Sequence, residues 1–144
     1  MHRKRRLIYQ INQARHAMMK SMDAGCRAAL GISVTQLSAL MVLKEREHCL
    51  MKELADALML DNSAVSGLAK RMQNKELIVR TPCPNDARAS RLSLSEKGQS
   101  LLAQGMALLN DINHEMNDGF EDEELEIVSR YLHHITDLFT KRSQ

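Results

Sequence analysis

The sequence predicts a mainly α-helical chain that carries one small β-hairpin. Three observations lead there. Apolar residues recur at steps of three and four through most of the chain, the spacing that aligns side chains on one face of a helix. The run Leu60 to Asn74 has a capped start, one narrow apolar stripe and an opposite face of small or polar groups. Leu77-Ile78-Val79-Arg80 and Ser90-Arg91-Leu92-Ser93-Leu94 flank the turn-rich stretch Thr81 to Ala89, which reads as two short strands and a loop. At 144 residues the chain is one unit's worth, long enough to bury a core.

In order along the chain, residues 5–29 read as one long helix, with Ile11, Ala14, Met18, Met22, Gly25 and Ala29 on a single stripe. The basic start His2-Arg3-Lys4-Arg5-Arg6 reads as its solvated end. Gly31 stops the helix. Ser33-x-x-Gln36 then forms a capping box, and Ile32 with Leu37 has the spacing of a hydrophobic staple. A second helix follows through Leu37, Leu40, Met41 and Leu43 to a polar turn at Glu45 to His48, with Cys49 placed in that turn. Leu50, Leu54, Ala55 and Leu58 mark a short third helix.

Asp61 suits the N-cap of the next helix, where its oxygens accept from orphan N–H groups and its charge meets the positive helix end. Leu60 and Val65 form a second staple. Val65, Leu68, Ala69 and Met72 face one way; Ser63, Ser66, Gly67, Lys70 and Asn74 face the other, with no carboxylate among them. Two short helices joined tightly, the second with a donor-rich outer face, read as helix-turn-helix. A plain helical hairpin with a solvated polar face fits the same residues. The basic hairpin that follows favours the first reading: Arg80, Arg88 and Arg91 against Asp86 make it a wing, placed to reach a minor groove or phosphates. Asn62, Ser63, Ser66, Gly67, Lys70, Arg71, Asn74, Arg88 and Arg91 are therefore the candidate DNA-contacting residues, and 33–94 the winged helix-turn-helix region.

Past the wing, Ser95 suits the N-cap of a long helix through Leu102, Met106, Leu109, Ile112 and Met116, ended by Gly119. Phe120 and Leu125 have the spacing of a third staple around the acidic turn Asp122-Glu123-Glu124. The last helix carries Leu125, Val128, Leu132, Ile135 and Phe139. Striped helices at both ends, 5–29 and 95–140, need a surface to bury against. They are expected to form a dimerisation layer, since two reading heads about 34 Å apart lengthen the site and raise affinity. A monomer with an intramolecular helical layer is the alternative.

Leu54-Ala55, the run Ser63 to Met72, Leu77-Ile78-Val79-Arg80, Asp86-x-Arg88-Ala89 and Leu94-Ser95-Glu96-Lys97-Gly98 resemble, in order and spacing, the MarR-type winged-helix transcriptional regulators. These motifs span about a third of the chain, and the flanking helices match the family layout in length and position. Two positions depart from the family pattern: Glu76 stands where glycine is usual, and Cys49-Leu50-Met51 lacks a polar cap. The resemblance implies a homodimeric, sequence-specific DNA-binding regulator, a repressor in this reading, acting on a pseudo-palindromic operator in double-stranded DNA. It also implies release by a small aromatic or phenolic effector held between the winged domain and the dimer helices, or by oxidation of a cysteine. A winged-helix module that binds protein rather than specific DNA is the alternative.

Overall charge is uninformative, with 20 Lys and Arg against 18 Asp and Glu. Its distribution is not: cations dominate from Asp61 to Arg91, whereas Asp111 to Glu126 holds eight carboxylates and no Lys or Arg. No stretch approaches a membrane span or a secretory signal, so a cytoplasmic location is expected. Three cysteines at wide spacings argue against a disulfide framework. No phosphate loop, nucleophile elbow or zinc-protease motif is present, so no enzyme, cofactor or metal is expected. His133 and His134 are adjacent and point about 100° apart on a helix, which does not chelate one ion. Aromatic residues are only 3% of the chain, so an effector pocket would be lined by methionine; Met18, Met19, Met22 and Met41 are candidates, though filling core is the plainer role. Cys83, between two prolines near Arg80 and Arg88, is the candidate redox sensor.

Overall fold

A computed structural model describes residues 6–143. Six helices and three strands follow in the order α1 (Leu7–Leu30), α2 (Val34–Glu45), β1 (Cys49–Leu50), α3 (Met51–Leu58), α4 (Asn62–Asn74), β2 (Ile78–Cys83), β3 (Asp86–Leu94), α5 (Glu96–Asn117) and α6 (Asp122–Arg142). One compact unit runs to Met106 and a second begins at Ala107, inside α5. The expected mainly helical fold with a small sheet is what the chain adopts. Of the basic start, only Arg6 falls within the described residues.

Local signals fix most helix ends. Gly31 ends α1 at φ 69°, and its N–H donates to the Arg27 carbonyl. Ser33 and Gln36 form the reciprocal capping box, at 3.1 Å in each direction. At the start of α3, where no polar cap exists, the Glu53 carboxylate accepts from the Leu50 N–H at 3.2 Å, which supplies half of such a box from inside the helix. The core of the first unit gathers Leu37, Leu40 and Leu43 of α2, Leu54 of α3, Val65, Leu68, Ala69 and Met72 of α4, and Leu77 and Leu92 of the wing, all buried.

The wing departs from the expected pair of short strands with a nine-residue loop. The strands extend almost to the tip, leaving Pro84 and Asn85 as the turn, with an irregularity between Pro82 and Cys83. Pro82 is tolerated because β2 is an edge: the strand order is β1-β3-β2, and proline has no N–H to give to a neighbour on both sides. Cys49 and Leu50 also differ from expectation. They form a third strand, paired with Leu92 and Arg91. Phe120 and Leu125 keep the N′ and N4 positions around the Glu121 N-cap, with the Phe120 ring 58% exposed.

Among the described residues, three that are not glycine sit in the left-handed region, His48, Met59 and Glu76. Glu76 is the position where the family pattern has glycine, and its φ of 59° gives the reason. A side chain there costs roughly 1–2 kcal/mol, partly offset by glycine's greater freedom when unfolded. Glu76→Gly is therefore expected to raise stability by about 0.5–1 kcal/mol, read by denaturant unfolding; a loss of stability would contradict the strain.

Candidate nucleic-acid interface

The outer face of α4 follows from how the helix is held. The Asp61 carboxylate accepts from the Ala64 N–H at 2.7 Å and fixes the first turn. Burial of Val65, Leu68, Ala69 and Met72 then sets the rotation of the helix, and at 100° per residue the opposite side must face out. Ser63, Ser66, Lys70 and Asn74 are all exposed there, as are Asn62 in the first turn and Arg71 on one flank. Gly67 is half-buried, and a Cβ at that position would lie 3.2 Å from Arg71 Nη1. The missing side chain leaves room for the guanidinium to cross the face. From Asn62 to Asn74 the helix holds no carboxylate, so phosphate meets no like charge on it.

In the wing, the Asp86 carboxylate accepts from the Arg88 N–H at 2.9 Å, which pins the backbone and leaves the Arg88 side chain exposed beside the turn. Arg80 is exposed too. Arg91 is placed differently. It lies mid-sheet, opposite Thr81 on one side and Leu50 on the other, half-buried, with its Nε buried and unpartnered.

The three thiols differ. Burial pushes Cys26 and Cys49 up, with Asp23 and Glu53 adding to the effect. The Asn85 N–H holds the Cys83 thiol below its ordinary range; Arg91 and the Asp86 N–H assist, against some desolvation. The cation that contributes to this is Arg91.

Two further features bear on the site. A recess of about 400 Å³ lies between α2 and the first half of α5, lined by Met41, Lys44, Glu45, Gln99, Leu102, Ala103 and Met106, with no aromatic ring. Of the methionines considered for a pocket, only Met41 lines this recess; Met18 and Met19 are exposed and fill no core in the single chain.

At the junction of α1 and α2, the Asp23 carboxylate accepts from Arg27 Nε at 2.8 Å and from the Val34 N–H at 3.0 Å. The Arg27 hydrogen bond, then that of Val34, hold the Asp23 carboxyl below its ordinary 3.8. A lowered folded value means stabilisation that is present above 3.8 and lost as pH falls through the depressed value. Asp23→Asn is expected to lower the melting temperature at neutral pH and to do so less at an acidic pH well below 3.8, as the wild-type carboxyl takes up its proton. An equal deficit at both pH values would contradict this role.

Sequence reasoning missed Arg27 and Lys75, which the fold brings beside Arg71. Lys75 Nζ donates to the Gly31 carbonyl at 2.8 Å, across 44 residues of sequence. The only sequence signal was the i, i+4 spacing of Asp23 and Arg27.

A helix-turn-helix whose second helix offers a carboxylate-free face, followed by a hairpin with an arginine at its tip, defines a winged helix-turn-helix protein. Residues 30–89 match the MarR family model. Solved structures with the same fold include a MarR/EmrR family transcriptional regulator from Acinetobacter sp. ADP1 (24% identity, TM-score 0.78, covering 96% of this chain and 99% of that one). MepR of S. aureus, solved as a DNA complex, has 20% identity and a TM-score of 0.84, with 91% of this chain and 96% of that one covered. BpsR of Bordetella bronchiseptica, whose DNA binding is regulated by 6-hydroxynicotinic acid, has 17% identity and a TM-score of 0.83, with 95% and 97% covered. The chain therefore has the winged helix-turn-helix fold of these structures, and its residues 30–89 resemble the MarR family.

Proposed function

We propose that this chain is a homodimeric repressor that binds a pseudo-palindromic operator and releases it on a small-molecule or oxidative signal. The observation that carries the reading is the exposed, carboxylate-free outer face of α4. Ser63, Ser66, Lys70 and Asn74, with Asn62 and Gly67 beside them, read base edges in the major groove; Arg71 reaches the flanking backbone; Arg88 enters the minor groove. Arg91 supports the wing from within the sheet. The DNA complex of MepR supports the use of this fold for DNA. Such a regulator works in the cytoplasm, where the operator is. Among the described residues no single helix is long and apolar enough to cross a membrane.

The dimer rests on two unpartnered faces. On α1, Tyr9, Met18, Met19 and Ile8, the last 81% exposed, stay in solvent. On α6 no residue is buried, although Ile127, Val128, Leu132 and Phe139 are apolar. Apolar helix stripes left open in one copy are covered by a second. Residues 5–29 and 95–140 thereby act as the dimerisation helices.

For the signal, the recess of Met41, Leu102 and Met106 offers adaptable apolar walls, with Lys44 and Glu45 supplying one charge of each sign for the polar group of a small effector. The response of BpsR to 6-hydroxynicotinic acid supports a small aromatic effector. Cys83 is the oxidisable group: a hydroperoxide would convert its thiolate to a sulfenic acid, with an alcohol or water as the other product. Peroxide is expected to weaken operator binding in the wild type and not in Cys83→Ser; equal loss in both would remove Cys83 from the mechanism.

Selecting bound sites from a random DNA pool tests the proposal as a whole. An inverted repeat should emerge with half-sites centred about one helical turn apart, and its binding should weaken steeply with salt. A chain that selects no sequence, or binds without salt dependence, is acting as a protein-interaction module instead.

A further inference from the structure

Beside the outer face of α4 the fold builds a groove of about 570 Å³, lined by Arg27 of α1, Ser33 and Gln36 at the start of α2, and Arg71, Asn74 and Lys75 at the end of α4. Three of these six side chains are cations and none is a carboxylate. The Asp23 carboxylate accepts from Arg27 through Nε, which leaves the terminal guanidinium nitrogens to meet a ligand. Lys75 likewise spends one ammonium proton on the Gly31 carbonyl and keeps two. Both cations are thus braced by hydrogen bonds rather than left to swing, which lowers the entropy cost of binding through them. Convergent like charges raise the energy of the free protein, and an anion reverses that sign.

The occupant is a polymer backbone by position. Arg71 and Asn74 belong both to this groove and to the surface of α4 that faces outward, so a duplex seated on the helix passes the groove mouth. We propose that Arg27 and Lys75, with Arg71 between them, form a clamp for a DNA backbone phosphate at the C-terminal flank of α4. The clamp lies outside the bases the helix reads and brings α1 into the DNA footprint. This rests on the DNA-binding reading above and adds to it two residues from outside the outer face of α4 and the wing.

The test uses the full chain and the duplex it selects from the random pool, with affinity measured by fluorescence anisotropy over a series of salt concentrations. Arg27→Gln and Lys75→Gln should each weaken binding for all sequences alike. Each should also lower the slope of log affinity against log salt by about one for every copy that carries it, so by about two in a dimer. The bases selected should not change, and Arg27→Lys and Lys75→Arg should keep the wild-type slope. Weaker binding with an unchanged slope, unrescued by these charge-retaining changes, would make the two residues structural braces and overturn the clamp. An altered base preference would overturn it too. If the wild type itself shows a steep slope, the DNA reading stands whatever the variants do; if it shows none, both readings fall together.

Discussion

Gly98→Ala is expected to destabilise the protein by roughly 3 kcal/mol, at the upper end for overpacking, and to lower the melting temperature by about 10 °C. A Cβ at Gly98 would overlap the carbonyl oxygen of Leu77 and lie 3.1 Å from its carbonyl carbon. The obstacle is backbone, so no rotamer change relieves it. That backbone is also committed. The Leu77 carbonyl accepts from the Ser95 N–H at 3.1 Å. The Ser95 hydroxyl accepts from the Gly98 N–H at 2.9 Å and donates to the Glu76 carbonyl at 2.6 Å. This knot joins the end of α4, the first wing strand and the start of α5. Loosening it should move the wing relative to α4, so operator affinity should fall together with stability. Thermal unfolding of the variant checks the first effect; a melting temperature within a degree or two of wild type would mean that α5 starts elsewhere.

Lys70→Glu is the counterpart that should leave folding alone and strike binding. Lys70 is exposed on the face opposite Val65, Leu68, Ala69 and Met72, so its replacement removes no buried contact. It places a carboxylate on a surface that otherwise has none. Losing a good base or phosphate contact costs about 1–3 kcal/mol, and repulsion adds to it. Operator affinity should fall roughly 100-fold or more with an unchanged melting temperature. Arg88→Ala, by contrast, should weaken binding to all sites broadly while leaving the preferred half-site readable. A variant of Lys70 that binds as wild type does would exclude this face from the interface.

Features that depend on residues a few positions apart were legible in the sequence. The Ser33–Gln36 box, the Asp61 cap, the Ser95 cap and the buried stripe of α4 are each written within one or two turns, and each stands as expected. What failed depends on the rest of the fold. The pairing of Cys49 with Leu92 is a long-range event on a strand of two residues, too short to leave a pattern. The wing strands run past the β-branched run because pairing from Ile78 and Leu94 propagates toward the tip, and an edge position excuses Pro82. Strand alternation placed Arg91 away from Leu92 but could not show that β1 would lie alongside and half-cover it. Arg27 and Lys75 come from different helices, and nothing local joins them.

Backbone amide shifts, followed by NMR as operator duplex is titrated into the full chain, test the reading of α4 most directly. Perturbations should concentrate in residues 62–74 and around Arg88 at the wing tip, and should fade as salt is raised. Perturbations that leave 62–74 unmoved while the DNA is demonstrably bound would show that another surface holds it.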